Sequence, residues 1–204
     1  MGTVRTAAAI VALASLAMAQ GGRGGRGGRG GFAAQNMTLV TTAWPDGGMI
    51  PMRYTQMGPE ISPAIQWSGA PAGTASFVLL FYDADSLAPG STDGILHWLL
   101  WNIPGTAAGI AQARPDGAEW EDGTRQLSAS GFRYRGPGAP AAGPIHHYVM
   151  ELYALDTMLD IKVSPQGPQD PNPNVQAIRA SIMQALVGHV RGKGVYVGLF
   201  HRPQ

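Results

Sequence analysis

The stretch that decides the fold of this 204-residue chain is a glycine- and proline-rich loop that runs into an apolar strand: Arg135-Gly136-Pro137-Gly138-Ala139-Pro140-Ala141-Ala142-Gly143-Pro144-Ile145-His146-His147-Tyr148-Val149-Met150-Glu151-Leu152-Tyr153-Ala154-Leu155. Its first half contains too much Gly and Pro for a helix or an interior strand. Its second half is rich in β-branched and aromatic residues, which favours a strand. Because side chains alternate along a strand, we expect His146 and Tyr148 to share one face and His147 to take the other.

Two further runs indicate the centre of a sheet. Residues 76–82 and 95–104 are apolar on both faces, as strands covered on each side are. The first run leads into Asp83-Ala84-Asp85, where we expect the strand to leave the core. The second run carries His97, which alternation places on the same face as Leu99 and Trp101.

Shorter elements complete the predicted order. We expect short strands at 37–42 and 49–54, one near Ile110 within an otherwise irregular region (105–130), and a closing strand at 195–200. Apolar residues at helical spacing predict a helix over 175–190, with Asn174 as its N-cap and Gly192 and Gly194 ending it. His189 then lies on the apolar stripe of that helix as a core residue.

Composition agrees with a mostly β domain. The chain has 29 Gly and 16 Pro, which favour short strands joined by tight turns. It has no Cys, which excludes disulfides and thiolate metal sites. A chain of this length with 45% hydrophobic residues can bury one sizeable core, so a single folded domain over 36–204 is expected.

The N-terminus has the layout of a secretory signal over residues 1–19. A lone Arg5 precedes an apolar run at 7–17, and Ala17-Met18-Ala19 forms a small-x-small cleavage site before Gln20. The apolar run is too short for a permanent membrane anchor. We therefore expect an exported protein, periplasmic or secreted.

Residues 20–35 repeat Gly-Gly-Arg three times, which predicts a flexible linker. RNA binding or contact with anionic envelope polymers are the alternatives for such a segment. Four of the fourteen basic residues and none of the thirteen acidic ones lie in residues 1–35, so the remainder carries a net charge of −3. A nucleic-acid surface is not suggested for the folded part.

Four residues at strand ends are candidates for one polar site: Asp83, His97, His146 and Tyr148. If their strands are neighbours, the side chains converge in a small cavity with apolar walls. Gly136 and Gly138 would let backbone N–H groups approach an anion closely. This set suits a phosphate, a phosphate ester or a carboxylate.

Other interpretations of these residues stay open. A single buried histidine or a strand-end aspartate is more often a hydrogen-bonded structural group than a ligand-binding one. Two histidines with an aspartate could bind zinc or iron, although no His-x-His or His-x-x-x-His pair is present. A serine hydrolase would need a nucleophile elbow such as Gly-x-Ser-x-Gly, which is absent from the sequence. Asp85 is interpreted as a turn-former.

Three segments together resemble the phosphatidylethanolamine-binding protein family, in particular its bacterial branch, often labelled Raf-kinase-inhibitor-like. The segments are Asp83-Ala84-Asp85…Ala88-Pro89, His97-Trp98-Leu99-Leu100-Trp101-Asn102-Ile103-Pro104 and Gly136-Pro137…Gly143…His146-His147-Tyr148…Leu152-Tyr153-Ala154-Leu155-Asp156. The resemblance covers residues 36–202. It implies a compact, mostly antiparallel β fold, with a large central sheet, a smaller sheet and few helices, and a small anion pocket near the surface.

The resemblance also implies site residues. Asp83 resembles the first acid of the family's Asp-Pro-Asp-Ala-Pro motif, His97 its pocket histidine, and His146 and Tyr148 its His-x-Tyr pair; Gly136 and Pro137 match the loop ahead of that pair. The sequence departs from the motif at Ala84, in a Ser86-Leu87 insertion, in the missing second proline after Gly138, and at His147, where an arginine is common.

Together these observations predict a non-catalytic exported protein that binds a small anion, such as a phospholipid head group, without a cofactor or metal. In this hypothesis His97, His146 and Tyr148 donate hydrogen bonds, Asp83 orients an imidazole, and amides near Gly136 complete the cradle. Binding should weaken roughly between pH 6 and 8 as the histidines lose protons. The alternatives are an envelope hydrolase or lyase using the His/Asp cluster, and a protein inhibitor acting through the pocket loops.

Overall fold

The described part of the chain forms two β-sheets and one α-helix. The computed structural model describes Gly2, residues 34–163 and residues 174–203. The predicted signal segment and nearly all of the predicted linker lie outside these ranges, as does the proline-rich loop at 164–173. In chain order the elements are β1 (Gln35–Asn36), β2 (Thr38–Val40), β3 (Gly48–Met49), a 3-10 turn (Met52–Tyr54), β4 (Ile65–Ser68), β5 (Ser76–Leu87), β6 (Gly94–Pro104), β7 (Gly109–Ile110), β8 (Arg125–Leu127), β9 (His146–Leu155), α1 (Val175–Ala185) and β10 (Val190–Phe200).

The larger sheet is mixed rather than wholly antiparallel. Its strands follow the order β1-β10-β9-β5-β6-β8, and β3 also pairs with β10. The short strands β1 and β3 run parallel to β10, whereas all the long strands pair antiparallel. The smaller sheet, β2-β4-β7, is antiparallel. The predicted mostly β fold, with a large sheet, a smaller sheet and few helices, is confirmed.

Each face of the larger sheet is covered by its own core. One face packs against the smaller sheet, burying Phe77, Phe81 and Trp98 against Ile65 and Trp67. The other face packs against α1 and the segment after β9, and its buried residues are Val78, Leu80, Leu96, Leu99, Trp101, Leu127, Leu155, Leu159, Ile182 and Leu186. This double coverage explains why β5 and β6 are apolar on both sides.

The predicted helix is too long at its C-terminal end. Asn174 caps it as expected, its side chain accepting from the Ala177 amide at 3.1 Å. The helix ends at Ala185, however, and Gly192 and Gly194 lie inside β10. A Cβ on Gly192 would lie 2.9 Å from Met37 Sδ, so that glycine permits close packing rather than ending a helix. His189 is not a core residue; its side chain is 48% exposed and bonds to Asp156.

Three other local expectations were wrong. The run 49–54 forms only the end of β3 followed by a 3-10 turn, because Pro51 has no N–H to continue a ladder. The region 105–130 contains a second strand, β8, in addition to β7, and the two belong to different sheets. β5 continues to Leu87 instead of ending at 83–85, although it leaves the core after Asp83 as expected, since residues 84, 85 and 87 are exposed. The structure also includes Gln35 in β1, one residue inside the predicted linker.

Candidate functional site

The four predicted site residues Asp83, His97, His146 and Tyr148 lie on three adjacent strands. β5 is flanked by β9 on one side and β6 on the other. Asp83 on β5 is in register with Tyr148 on β9 and with Ile95 on β6. His146 and Tyr148 share one face of β9, and both are buried. The topology therefore brings Asp83, His146 and Tyr148 together, with His97 on the opposite neighbouring strand.

His97 reaches this face because of a β-bulge. Phe81 pairs with Trp98 while the next residue, Tyr82, pairs with Leu96, so His97 is the extra residue in β6. The bulge places His97 and Trp98 on the same side of the sheet, and the expected shared face with Leu99 and Trp101 is wrong. Bulges commonly redirect side chains in this way beside functional sites.

The His97 ring is held by the backbone of Arg135. Its Nδ1 lies 2.9 Å from the Arg135 carbonyl oxygen, and the Arg135 amide donates to the His97 carbonyl at 2.9 Å. The ring also packs edge-on against Tyr148, with centroids 5.0 Å apart, and against Phe81. Burial lowers the pKa of His97 to about 4, so the ring is neutral near pH 7.

Asp83 and His146 form a buried pair. Asp83 Oδ2 lies 2.8 Å from His146 Nδ1, and only 3% of Asp83 and 7% of His146 is exposed. The other Asp83 oxygen accepts from the Asp85 amide at 2.9 Å, which fixes the carboxylate. The Ser86 hydroxyl approaches the same Nδ1 at 3.3 Å. Asp83 therefore orients the His146 ring so that Nε2 faces away from the carboxylate.

Tyr148 anchors the loop that precedes β9. Its hydroxyl oxygen accepts hydrogen bonds from the Gly138 amide at 3.3 Å and the Ala139 amide at 3.1 Å. Burial, and after it the nearby Asp83 carboxylate, raise the pKa of the Tyr148 phenol well above its usual range, so the phenol keeps its proton. That proton is available to the Asp83 carboxylate or to a ligand.

Gly136 and Pro137 connect the loop to the segment around Gln56. The Gly136 amide donates to Glu60 Oε1 at 3.1 Å, and its carbonyl accepts from Gln56 Nε2 at 2.7 Å. The Pro137 carbonyl accepts from the Gln56 amide at 2.9 Å. The amides expected to cradle an anion are thus bound to Glu60 and Tyr148, so the side chains must supply most of the contacts to any ligand.

Asp85 and His147 form a second pair on the outer face of the same strands. His147 Nδ1 lies 3.0 Å from Asp85 Oδ2, and the His147 amide donates to the same oxygen. That backbone hydrogen bond, with smaller contributions from the His147 side chain, lowers the pKa of Asp85. Asp85 is therefore a strand residue that pairs across to β9, and its interpretation as a turn-former is wrong.

The comparison with known proteins decides the family. Residues 40–201 match the phosphatidylethanolamine-binding protein (PEBP) family. The chain belongs to the PEBP family. It is 36% identical over 168 residues to the UPF0098 protein of Methanothermobacter thermautotrophicus, covering 81% of this chain and 99% of that protein. Membership of the PEBP family supports the interpretation that this protein binds a small ligand.

Two further relatives of this PEBP-family protein are informative. A Mycobacterium tuberculosis protein named "Putative lipoprotein LppC" is 31% identical over 170 residues, covering 81% of this chain and 75% of its own length. Escherichia coli YbcL, described as a member of the mammalian PEBP family, superposes with a TM-score of 0.62 at 23% identity, covering 81% of this chain and 98% of its own. The likeness to YbcL concerns the fold.

The geometry of this PEBP-family site does not reproduce a hydrolytic triad. In a triad the acid and the nucleophile contact opposite nitrogens of the histidine. Here Asp83 and Ser86 approach the same atom, His146 Nδ1. Within residues 34–163 and 174–203, no three His, Asp or Glu side chains converge as metal ligands would.

Some contributors to the site could not be identified from sequence. Arg135 acts through its backbone carbonyl, and Glu60 and Gln56 come from a distant loop, so no motif marks them. Ser86 did carry a signal, because it belongs to the two-residue departure from the family motif. A separate cavity of about 440 Å³ lies between β5 and α1, and none of the predicted site residues lines it.

Among the residues that the structure describes, none of the helices has the length and apolar character needed to span a bilayer.

Proposed function

We propose that this PEBP-family protein binds a small anion, such as a phosphate-bearing head group or a carboxylate, between His97, His146 and Tyr148. The observation that carries the proposal is the buried Asp83–His146 pair beside His97 and Tyr148. Asp83 accepts from His146 Nδ1 and so turns the outer ring nitrogen, Nε2, toward the ligand, and the Tyr148 hydroxyl can donate to the anion. Gly136 and Pro137 take part by joining the loop before β9 to the segment around Gln56.

The binding test compares two histidine variants. Isothermal titration of the wild-type protein with inorganic phosphate and with phosphoethanolamine is repeated on His146→Ala. We expect at least a tenfold loss of affinity, equivalent to about 1.4 kcal/mol or more. His189→Ala is the matched control, because His189 is also paired with an aspartate but is exposed and bonds to Asp156. Equal affinity of His146→Ala and the wild type would argue against the site.

We also propose that the protein is exported, to the periplasm or the medium. The support is the signal-like segment at residues 1–19 and the relative named as a lipoprotein. Mass spectrometry of the protein recovered from its own cells should find a mature N-terminus at Gln20, followed by the Gly/Arg-rich linker. A mature protein that retains residues 1–19 would contradict export by this signal.

A further inference from the structure

A second cavity lies on the helix side of the larger sheet, behind the proposed anion site. It has a volume of about 440 Å³, and its walls come from β5, β9, α1 and the turn before β6. Leu80 and Tyr82 on β5 belong to the core on this face, whereas Phe81 and Tyr148 belong to the core on the other face. Cavities of about 300–1,000 Å³ commonly hold small ligands. This cavity is therefore large enough for a small molecule and is separate from the anion site.

Arg179 is a buried cation with few partners. Only 6% of this residue is exposed, and its guanidinium carbon lies 5.3 Å from the centroid of the Tyr82 ring. Nη1 donates to the Gly94 carbonyl at 2.6 Å, whereas Nε lies 3.9 Å from a carboxylate oxygen of the half-exposed Asp93, beyond hydrogen-bond distance. Among the described residues the guanidinium has no other hydrogen bond, although it carries five N–H groups. A buried charge with so few partners favours an anionic group in the cavity beside it.

Arg179 and Tyr82 form a pair of accessible donors. No nitrogen of Arg179 and no oxygen of Tyr82 is among the solvent-sealed polar atoms that lack a partner in the described part of the chain. Burial raises the pKa of Tyr82, the Glu151 carboxylate raises it further and the Arg179 guanidinium opposes the rise, so the phenol keeps its proton near neutral pH. The planar guanidinium matches the two oxygens of a carboxylate, and the phenol can donate to the same group.

Glu151 places a negative charge on the adjoining wall. It is paired with Leu80 across β5 and β9, which makes Tyr82, two residues further along β5, its diagonal neighbour on the same face. The Glu151 side chain is 17% exposed; Oε1 accepts from Lys193 Nζ at 2.6 Å and Oε2 from the Tyr153 hydroxyl at 2.7 Å. Each carboxylate oxygen has two lone pairs, so Glu151 can accept from a further donor. The cavity thus has a carboxylate next to the Tyr82 ring and a guanidinium over that ring.

We propose that this cavity binds a free amino acid, that is, a small zwitterion with one carboxylate and one ammonium group. The carboxylate accepts from Arg179 and from the Tyr82 hydroxyl, and the ammonium donates to Glu151. The hydrocarbon part of the ligand lies against Leu80 and Met183, which also line the cavity. This second site uses none of the residues of the anion site and does not depend on it.

The charges around the cavity favour a zwitterion over a simple anion or a simple cation. An anion would lie near the carboxylates of Glu151 and Asp93, and a cation would leave Arg179 without an anionic hydrogen-bond partner. Lys193 balances Glu151, and Asp93 faces Arg179 at 3.9 Å, so the charges of the protein groups already sum to zero. A ligand without net charge keeps that balance, and its two ends satisfy both buried groups at once.

The deciding experiment is isothermal titration of the wild-type protein, near neutral pH, with four probes. L-leucine and γ-aminobutyrate carry both charges at different separations, N-acetyl-L-leucine carries only the carboxylate, and L-leucine amide carries only the ammonium. We expect at least one of the two zwitterions to bind at least tenfold more tightly than either singly charged probe. If neither zwitterion binds, or if a singly charged probe binds as tightly, the proposal is wrong.

Substitutions at the cavity locate the ligand. Ala180→Phe introduces an aromatic ring into the cavity from an exposed position on α1, so the affinity for the zwitterion should fall at least tenfold. Ser181→Phe is the matched control with wild-type affinity, because Ser181 is also exposed on α1 but does not line the cavity. Glu151→Gln keeps an oxygen for the Tyr153 hydroxyl but removes the charge, so it should weaken binding of the zwitterion and not of N-acetyl-L-leucine. Wild-type affinity in Ala180→Phe would overturn the proposal.

An NMR measurement on the wild-type protein does not depend on any variant folding. The methyl resonance of Met183, which lines the cavity, should shift when the zwitterion is added. The methyl resonance of Met49, which is 48% exposed and does not line the cavity, should stay in place. A Met183 resonance that does not move at saturating ligand would place the ligand elsewhere and contradict the proposed site.

Discussion

Arg135 and His97 exchange two hydrogen bonds: the Arg135 amide donates to the His97 carbonyl, and His97 Nδ1 donates to the Arg135 carbonyl, each at 2.9 Å. The first bond fixes the backbone at the bulge, and the second fixes the ring. Because a carbonyl cannot donate, this exchange determines which His97 nitrogen carries the proton. Burial lowers the pKa of this fixed ring to about 4, so His97 is a rigid neutral group near pH 7.

His97 should make the protein less stable in mild acid. Its pKa is about 4 in the folded protein and about 6.5 in the unfolded chain, so neither state binds a proton at this residue well above pH 6.5. As the pH falls, the unfolded chain takes up the proton first. The free energy of unfolding should therefore drop by about 3 kcal/mol in total between about pH 6.5 and pH 4.

Urea unfolding at several pH values between 7 and about 4 measures this effect. His97→Asn should have a flatter profile than the wild type, because the titrating group is gone. His189→Asn is the control, since His189 is exposed and its removal should leave the His97 contribution in place. The explanation fails if His97→Asn loses as much stability in acid as the wild-type protein does.

Asp83→Asn should weaken phosphate binding. The side-chain oxygen of the introduced asparagine can still accept from the Asp85 amide, so that hydrogen bond is kept, but His146 loses its anionic partner. We expect an affinity loss of tenfold or more by titration, equivalent to about 1.4 kcal/mol or more. Asp156→Asn removes the carboxylate from the exposed His189 pair and is the matched control, with affinity unchanged. A similar affinity in all three proteins would rule out electrostatic support of His146.

Tyr148→Phe should loosen the loop before β9. The substitution removes the oxygen that accepts from the Gly138 and Ala139 amides, and Ala139 is only 2% exposed. Leaving a buried donor unpaired costs roughly 1–3 kcal/mol. Thermal unfolding should show that loss, and hydrogen exchange at residues 138 and 139 should become faster.

Tyr196→Phe separates this effect from general destabilisation. Tyr196 donates to the Trp44 carbonyl at 2.6 Å, on a different part of the sheet. Loss of the Tyr196 hydroxyl should lower stability by a similar amount, while the amides of Gly138 and Ala139 stay protected from hydrogen exchange. If exchange at Gly138 and Ala139 is equally slow in Tyr148→Phe and the wild type, the loop is held by other contacts.

Residue patterns predicted the strands and which side chains gather, because apolar runs and alternation are local properties. They did not predict the bulge at His97. The bulge results from the way β6 pairs with β5, and the sequence of β6 alone does not indicate it. For the same reason residue patterns wrongly predict that Gly192 ends a helix. Its role is to allow Met37 and Pro71 to pack closely over β10. Nor do residue patterns predict the charge of His97, because burial, which depends on how the surrounding elements pack, lowers the pKa of that ring.

Gly136→Ala should disturb the site more than Gly138→Ala. A Cβ on Gly136 would lie 2.6 Å from the Tyr54 carbonyl oxygen and 2.7 Å from Thr55 Cα, both of them backbone atoms that cannot move aside easily. A Cβ on Gly138 would meet the end of the Gln56 side chain at 2.4 Å, which can rotate away. Overpacking of the first kind typically costs 1–3 kcal/mol.

Chemical denaturation and phosphate titration of the two alanine variants test this difference. Gly136→Ala should lose both stability and affinity, because the strained segment is covalently joined to Arg135, whose carbonyl holds His97. Gly138→Ala should retain most of its stability and affinity. The Gln56 side chain rotates away in this variant and loses its hydrogen bond to the Gly136 carbonyl. The reverse order, with Gly138→Ala the more damaging substitution, would mean that the Gln56 side chain rather than the Tyr54–Thr55 backbone fixes the loop, and that His97 is positioned independently of Gly136.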